Sequence, residues 1–272
     1  MMEYTTSSSD GTTLFGRHWP VETPKAVMTL VHGFGEHCGR YGPMAAYLNS
    51  QDIAVVTLDF RGHGKSEGRR GVVKSYEAFR ADLAALLMKT KALYPYTPQV
   101  LYGHSMGGGI VLDHGARNID TLPIIASAPF IELADRVPGA LQILVKILAR
   151  VLPKGAMSQP IDGTKISNLI AEQTLYIEDP LNHGKLGFRL AEAMVTTGER
   201  LSQDAKNWNR PLLLLHSQAD QLTSFQASAD FARVAQQTEF HAFETHQHEM
   251  HNDKCRAEVH TLMSEFILRH ST

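Results

Sequence analysis

Cysteine is scarce in this chain of 272 residues, where Cys38 and Cys255 stand alone. Two cysteines cannot build a disulfide framework, and they suit a reducing compartment. Excess charge is lacking as well. Twenty-six basic against 28 acidic residues give a net charge of -2, with no Lys/Arg tract and no acidic tail, which argues against nucleic acid as a partner. No apolar run approaches the roughly 20 residues that span a bilayer, and the first ten residues have neither a basic n-region nor an apolar h-region. A soluble, cytoplasmic protein is the expectation. Metal-ligand spacing is missing too: His248-Glu249-Met250-His251 falls one residue short of H-E-x-x-H, and no acidic or cysteine cluster accompanies it. No metal and no cofactor are expected.

What is present is an alternation. Residues 3–20 read as a hairpin turning at Asp10-Gly11. Residues 26–32, 53–59, 98–102, 122–128 and 211–216 are nearly continuous apolar runs, as in strands buried on both faces. Between them lie helical patterns at 40–51, 75–93 and 106–116, followed later by 224–236 and 252–269, with a strand at 239–243. Strands alternating with helices imply an α/β fold with a mostly parallel sheet and helices on both faces. From residue 130 to 209 the alternation stops. That stretch carries an apolar helix at 140–152, a proline- and glycine-punctuated passage, and a further segment at 186–194. Residues 1–129 and 210–272 are therefore expected to form the core, and 130–209 an inserted helical lid.

Gly103-His104-Ser105-Met106-Gly107 sits between the strand at 98–102 and the helix at 106–116. It fits G-x-S-x-G, the strand-to-helix elbow that presents a serine hydroxyl to a pocket. A serine hydroxyl is a weak nucleophile at neutral pH. It needs a general base, and the base needs a third group to fix its tautomer. In this architecture the order along the chain is Ser, then Asp or Glu, then His. Asp220 follows the strand at 211–216, and its competing role is a helix N-cap. The base should follow the last strand, where His246, His248 and His251 all compete; His248, in mid-loop, is the best placed. The oxyanion calls for two backbone N–H donors. Met106, immediately after the serine, supplies one, and Phe34, in the bare turn His32-Gly33-Phe34-Gly35, the other. His104 reads as a packed neighbour rather than a catalyst, and Asp59 and Arg61 as ties for the loop after their strand.

These residues are joined by His32-Gly33-Phe34-Gly35-Glu36-His37, Arg40-Tyr41, Asp59-Phe60-Arg61-Gly62-His63-Gly64-Lys65-Ser66 and Asp179-Pro180-Leu181. Together they make the chain resemble the monoacylglycerol lipase and lysophospholipase branch of the α/β-hydrolases over almost its whole length. The resemblance implies a triad of Ser105, Asp220 and His248 and oxyanion donors at Phe34 and Met106. It also implies an ester of a monoacyl lipid as substrate. One departure is Ile166-Ser167-Asn168-Leu169, where relatives usually carry Arg and Asp after the Ser.

The lid is where the resemblance meets the residue pattern. Apolar residues cover much of the helix at 140–152, so Leu144, Ile147, Leu148 and Val151 are candidate linings of an acyl tunnel, while the rest could dock on a membrane surface with Lys146 and Arg150 at head-group level. A nonpolar lid surface would suit a dimer contact equally well. The expected function is a serine esterase on monoacylglycerol. Lysophospholipids or short soluble esters are the nearest alternative. An aminopeptidase using acids such as Glu132, Asp135 and Glu178, or a scaffold without catalysis, is further away.

Overall fold

The computed structural model describes residues 1–117, 120–135 and 137–271. Residues 118, 119, 136 and 272, which fall within the expected core and lid, lie outside the described ones. The chain opens with the antiparallel pair β1 (Met2–Ser7) and β2 (Thr13–Trp19), which turns through Gly11 at φ +83°. It then lays down β3 (Ala26–Val31), α1 (Gly42–Ser50), β4 (Ile53–Leu58), α2 (Tyr76–Leu93), β5 (Gln99–His104), α3 (Met106–Ala116) and β6 (Ile124–Ser127). Eight strands form one sheet in the order β1-β2-β4-β3-β5-β6-β9-β10, where β9 is Leu212–Ser217 and β10 is Thr238–Phe243. Every pairing from β4 to β10 is parallel.

The apolar runs became strands because both faces of the sheet are covered. In β3, Val27 and Val31 join one hydrophobic core, with α2 and α3, while Ala26, Met28 and Leu30 join the other, with α1 and α8 (Arg256–Arg269). All six β3 residues are buried, as are those of β4 and β9. The helix expected to begin near 252 starts at Arg256, after a single 3-10 turn at Met250–Asn252, so His251 lies in that turn.

Between β6 and β9 the chain leaves the sheet. It forms α4 (Gly139–Val151), a short antiparallel pair β7 (Ala156–Ser158) and β8 (Lys185–Gly187), α5 (Ile170–Glu178) and α6 (Phe188–Asp204). The segment expected at 186–194 is thus the end of β8 and the start of a longer helix. Its buried positions Leu190, Met194 and Leu201 continue into the core beside α3, together with Trp208. Gly198 allows that approach, since a Cβ there would lie 1.9 Å from the Ile131 carbonyl oxygen. α7 (Phe225–Val234) follows β9 and is capped by Ser224, whose Oγ accepts the Ala227 N–H at 3.1 Å.

Candidate active site

Ser105 stands between β5 and α3 at φ 55° and ψ -118°, a conformation that non-glycine residues rarely hold unless their surroundings impose it. The surroundings here are the neighbouring glycines. A Cβ on Gly103 would meet the Gly107 carbonyl oxygen at 2.3 Å, and one on Gly107 would meet that of Val31 at 2.3 Å. Strand, turn and helix therefore pass at backbone contact. The Ser105 side chain opens into a cavity of about 270 Å³ lined also by Gly33, Phe34, His104 and His248.

Asp220 follows β9 and is wholly buried in its side chain. Its Oδ2 lies 2.7 Å from His248 Nδ1, 2.9 Å from the Thr223 hydroxyl and 3.1 Å from His216 Nε2. Oδ1 accepts the N–H groups of Leu222 at 2.7 Å and Thr223 at 3.1 Å. The alternative role as a helix cap is filled by Ser224 instead. Burial works to raise the carboxyl's pKa, but the charge and hydrogen bonds of His248 and His216 outweigh it and hold the group well below the usual carboxylate range.

The three competing histidines separate cleanly. Burial opposes protonation of His248, yet Asp220 raises its pKa above the ordinary imidazole value. His251 stacks on Tyr41, with ring centroids 5.0 Å apart, and burial lowers it to about 3. His246 turns its ring toward Asp253, with Nδ1 3.8 Å from Oδ2. His104, packed 4.7 Å from His248 and 4.8 Å from His251, is pushed well below its ordinary value, first by burial and then by those neighbours. His248 lies 2.7 Å from a wholly buried carboxylate that raises its pKa. Among the described residues no hydrogen bond yet joins the Ser105 hydroxyl to His248; such contacts are often long in the absence of substrate.

Phe34 lines the cavity that Ser105 enters, and Met106 follows the serine in the chain. Met106 is the first residue of α3, so its N–H has no intrahelical partner. Gly33 is pressed against the elbow, 3.2 Å from Ser105 Cβ for a Cβ placed there. The turn is held from below. The buried Glu36 carboxylate accepts the Gly33 N–H at 2.5 Å and the Tyr41 hydroxyl at 2.7 Å. His32 accepts the Phe60 N–H at Nε2, 2.9 Å away, and faces the Gly33 carbonyl with Nδ1 at 2.7 Å. Burial lowers His32 to about 4, so it is neutral there. Arg40 bridges Glu36 and Glu249, at 3.4 and 2.6 Å. Burial and the nearby Glu249 charge push Glu36 up to about 7, whereas Arg40 holds Glu249 low against its burial. Asp59 and Arg61 do tie down their loop: Asp59 accepts the N–H groups of Cys38 and Lys65, and Arg61 pairs with Asp82 and Asp10.

The lining of the cavity corrects one expectation. Its apolar wall comes from Phe130, Leu133, Leu186, Ala191, Met194, Val195 and Leu222, and its polar groups from Glu36, Glu249, Gln159, Asp162 and Lys165. Leu144, Ile147, Leu148 and Val151 are not part of it. They belong to α4, where Ala149 is buried and Leu144, Ile147 and Val151 are 48, 49 and 64% exposed. A helix can be apolar on most of its circumference and still present its larger residues outward. Glu132, Asp135 and Glu178 are exposed and likewise absent from the lining. The residues that sequence reasoning missed are His216, Glu36 and Glu249. A histidine directly after four leucines, four residues before Asp220, was the available signal for the first.

Residues 22–255 match the family described as Serine aminopeptidase, S33. The chain is 36% identical over 219 residues to the monoglyceride lipase of Rattus norvegicus, covering 79% of this chain and 72% of that one. It is 34% identical over 266 residues to an uncharacterized abhydrolase domain-containing protein of Dictyostelium discoideum, covering 96% of this chain but only 28% of that longer protein. The structure superposes on that of the Paleococcus ferrophilus monoacylglycerol lipase with a TM-score of 0.86 at 28% identity, over 95% of this chain and 99% of the other. Among the described residues no helix is long and apolar enough to cross a membrane.

Proposed function

The chain belongs to the serine aminopeptidase, S33 family of hydrolases and to its monoacylglycerol lipase branch, and on that premise we propose that it is a carboxylic ester hydrolase cleaving monoacylglycerol to fatty acid and glycerol. Ser105 Oγ attacks the ester carbonyl while His248 Nε2 takes its proton. The oxyanion forms against the N–H groups of Phe34 and Met106. Collapse breaks the C–O bond, and His248 returns the proton to the departing glycerol oxygen. Water then repeats the sequence on the acyl-enzyme, releasing fatty acid and restoring Ser105. Asp220 orients His248 and stabilises the imidazolium throughout. The observation that carries this reading is the 2.7 Å contact of a buried carboxylate with an imidazole whose pKa it raises, on the wall of the cavity that Ser105 enters.

The cavity's chemistry supports an amphipathic substrate. An apolar wall suits an acyl chain, and Glu36 and Glu249 are acceptors for hydroxyl groups. Both carboxylates are already engaged by Arg40, so neither is free to hold a peptide's amino terminus, which counts against aminopeptidase action. Among the described residues Lys165 is the one lysine or arginine in the lining, and it favours a second reading, a phosphorylated head group and hence lysophospholipid. We further propose that the outward apolar face of α4, flanked by Lys146 and Arg150, rests on membrane surfaces, and that the protein works in the cytoplasm, where its two free, buried cysteines stay reduced.

The test is the initial rate on a long-chain monoacylglycerol against the lysophosphatidylcholine of the same acyl chain, with a short-chain nitrophenyl ester as a check. Preference for the glycerol ester is expected. Preference for the phospholipid would move the assignment to lysophospholipase. Ser105→Ala should keep its melting temperature but lose turnover and fluorophosphonate labelling, and full activity in that variant would refute the mechanism.

A further inference from the structure

The loop from Glu244 to Glu249 that carries His248 has no strand or helix to hold it. Its backbone polar groups must find partners elsewhere: the His246 carbonyl accepts from the Ser217 hydroxyl of the core, and others find theirs in the lid. The His248 N–H donates to the Lys165 carbonyl at 3.2 Å, and the Glu249 N–H to that of Ile166 at 2.8 Å. Beside this seam lies Asp253, with a carboxylate that is wholly buried and has no lysine or arginine partner among the described ion pairs. It is surrounded by donors. Oδ1 accepts the N–H groups of Asn168 at 3.0 Å and Lys254 at 2.8 Å, and the Ser167 hydroxyl at 3.3 Å. Oδ2 accepts the N–H of Gln247, the residue before His248, at 2.8 Å, and the Asn168 side-chain amide at 3.2 Å. The same Asn168 amide donates to the Thr245 carbonyl at 2.8 Å, and its oxygen accepts from the Gln247 side chain at 3.3 Å.

We propose that Asp253 and Asn168 are positioning residues for the catalytic base, and that the lid segment 165–168 is a strut that sets where His248 stands. The inference rests on His248 being the base, as assigned above. Asn168 is the departure noted in the lid sequence; it faces the base's loop, so its role is mechanical and not recognition of a head group. A charged acceptor makes these bonds stronger than neutral ones, and a base must be held to a fraction of an ångström for efficient proton transfer. The strut also lines the cavity through Lys165 and Ile166. Lid movements that admit substrate must therefore leave 165–168 in place, and any opening falls to other parts of the lid.

The test uses the full chain and a short-chain nitrophenyl ester, which reports on the triad without needing the acyl wall. Asn168→Ala removes the side-chain bonds to Asp253, Thr245 and Gln247. Asp253→Asn keeps the size but sets an amide against N–H donors. In both, kcat per folded molecule should fall by about 10-fold or more, with KM within about twofold of wild type. The acidic limb of the pH profile should stay in place, because geometry and not the charge on His248 has changed. Should Asp253→Asn fail to fold, Asn168→Ala decides alone. A kcat within about twofold of wild type in Asn168→Ala, with any loss confined to melting temperature, would overturn the proposal, as would a shifted acidic limb, which would mean an electrostatic role. Turnover that survives Ser105→Ala would remove the mechanism and this inference with it, whereas loss in Ser105→Ala beside full activity in Asn168→Ala removes the inference alone.

Discussion

Asp220→Asn removes one charge at almost constant shape, and its consequence can be worked from the contacts of that carboxylate. Its Oδ1 is committed to the N–H groups of Leu222 and Thr223, and Oδ2 faces His248 Nδ1 at 2.7 Å. An asparagine oxygen would remain on the two backbone donors, so the side-chain NH2 would face His248. Nδ1 must then accept, the proton moves to Nε2, and the imidazole can no longer take a proton from Ser105. Charge is lost as well. At an effective dielectric near 20, an imidazolium and a carboxylate about 4 Å apart attract by about 4 kcal/mol, and at about 1.36 kcal/mol per decade this is roughly 10³ in rate. With the tautomer effect, kcat/KM should fall by about 10³ to 10⁴. The pH profile adds a signed prediction. His248 must be neutral to act, and Asp220 raises its pKa against the opposing effect of burial. The variant's acidic limb should therefore move to lower pH. Stability follows the same linkage. A raised histidine contributes stability below its unfolded pKa of about 6.5, and this is lost as pH rises through the folded value; a depressed aspartate contributes above about 3.9, and this is lost as pH falls. The wild type's advantage in melting temperature should thus be greatest between about pH 4 and 6.5 and shrink toward pH 8. The assay is kcat/KM on a short nitrophenyl ester across pH, with Ser105→Ala as baseline. A loss under about tenfold, or an unmoved acidic limb, would refute the reasoning.

Gly35→Ala should cost stability and activity together. Gly35 holds φ +74°, a Cβ there would lie 2.4 Å from the His183 carbonyl oxygen, and the His183 N–H donates to the Gly35 carbonyl at 2.8 Å. Overpacking plus backbone strain suggests about 2–4 kcal/mol, a drop of several degrees in a thermal melt, and an unchanged melt would contradict it. Ile147→Glu should do the reverse, leaving short-ester turnover and melting temperature within error because the side chain is 49% exposed and outside the cavity lining. Its effect should appear in sedimentation with anionic vesicles, reduced several-fold by the lost apolar contact and the added repulsion. Equal vesicle binding would dispose of the membrane face.

Much of the body was legible in the sequence because each local choice there is answered by one global fact, a sheet covered on both sides. Ala26 to Val31 is apolar at every position, and alternate residues serve opposite cores. The elbow was legible for a related reason: the glycines at 103 and 107 stand where backbone meets backbone, and such positions leave no choice of residue. The boundary of α6 was not. The expected segment ends at 194, yet the helix runs on to Asp204 through Gly198, where it passes against the Ile131 carbonyl. A glycine that ends a helix and one that lets a helix approach a neighbour are identical in sequence. His248 could be preferred over His246 and His251 only by position, since what separates them is tertiary: one faces Asp220, one Asp253 and one Tyr41.

The lid shows where such reasoning stops. In the body an apolar side chain has a core on either side of the sheet, so hydrophobicity and burial coincide. In the segment between β6 and β9 the two part, and large apolar residues stay exposed. Ala149 is buried while Ile143, Leu144, Ile147 and Val151 face outward, and Ile170, Leu175 and Ile177 of α5 do the same. The composition of α4 announced how much apolar surface there would be, but not its direction, because direction is set by contacts that are polar and distant in sequence. Gly35 to His183, His37 to Asp179 and Asn168 to Asp253 join the lid to the body from positions far apart in the chain. These polar ties orient the lid, and its uncovered apolar residues are then left for something other than this chain to cover. The membrane contact proposed above would cover that face at the surface from which a lipid substrate comes, and the Ile147→Glu vesicle assay decides it.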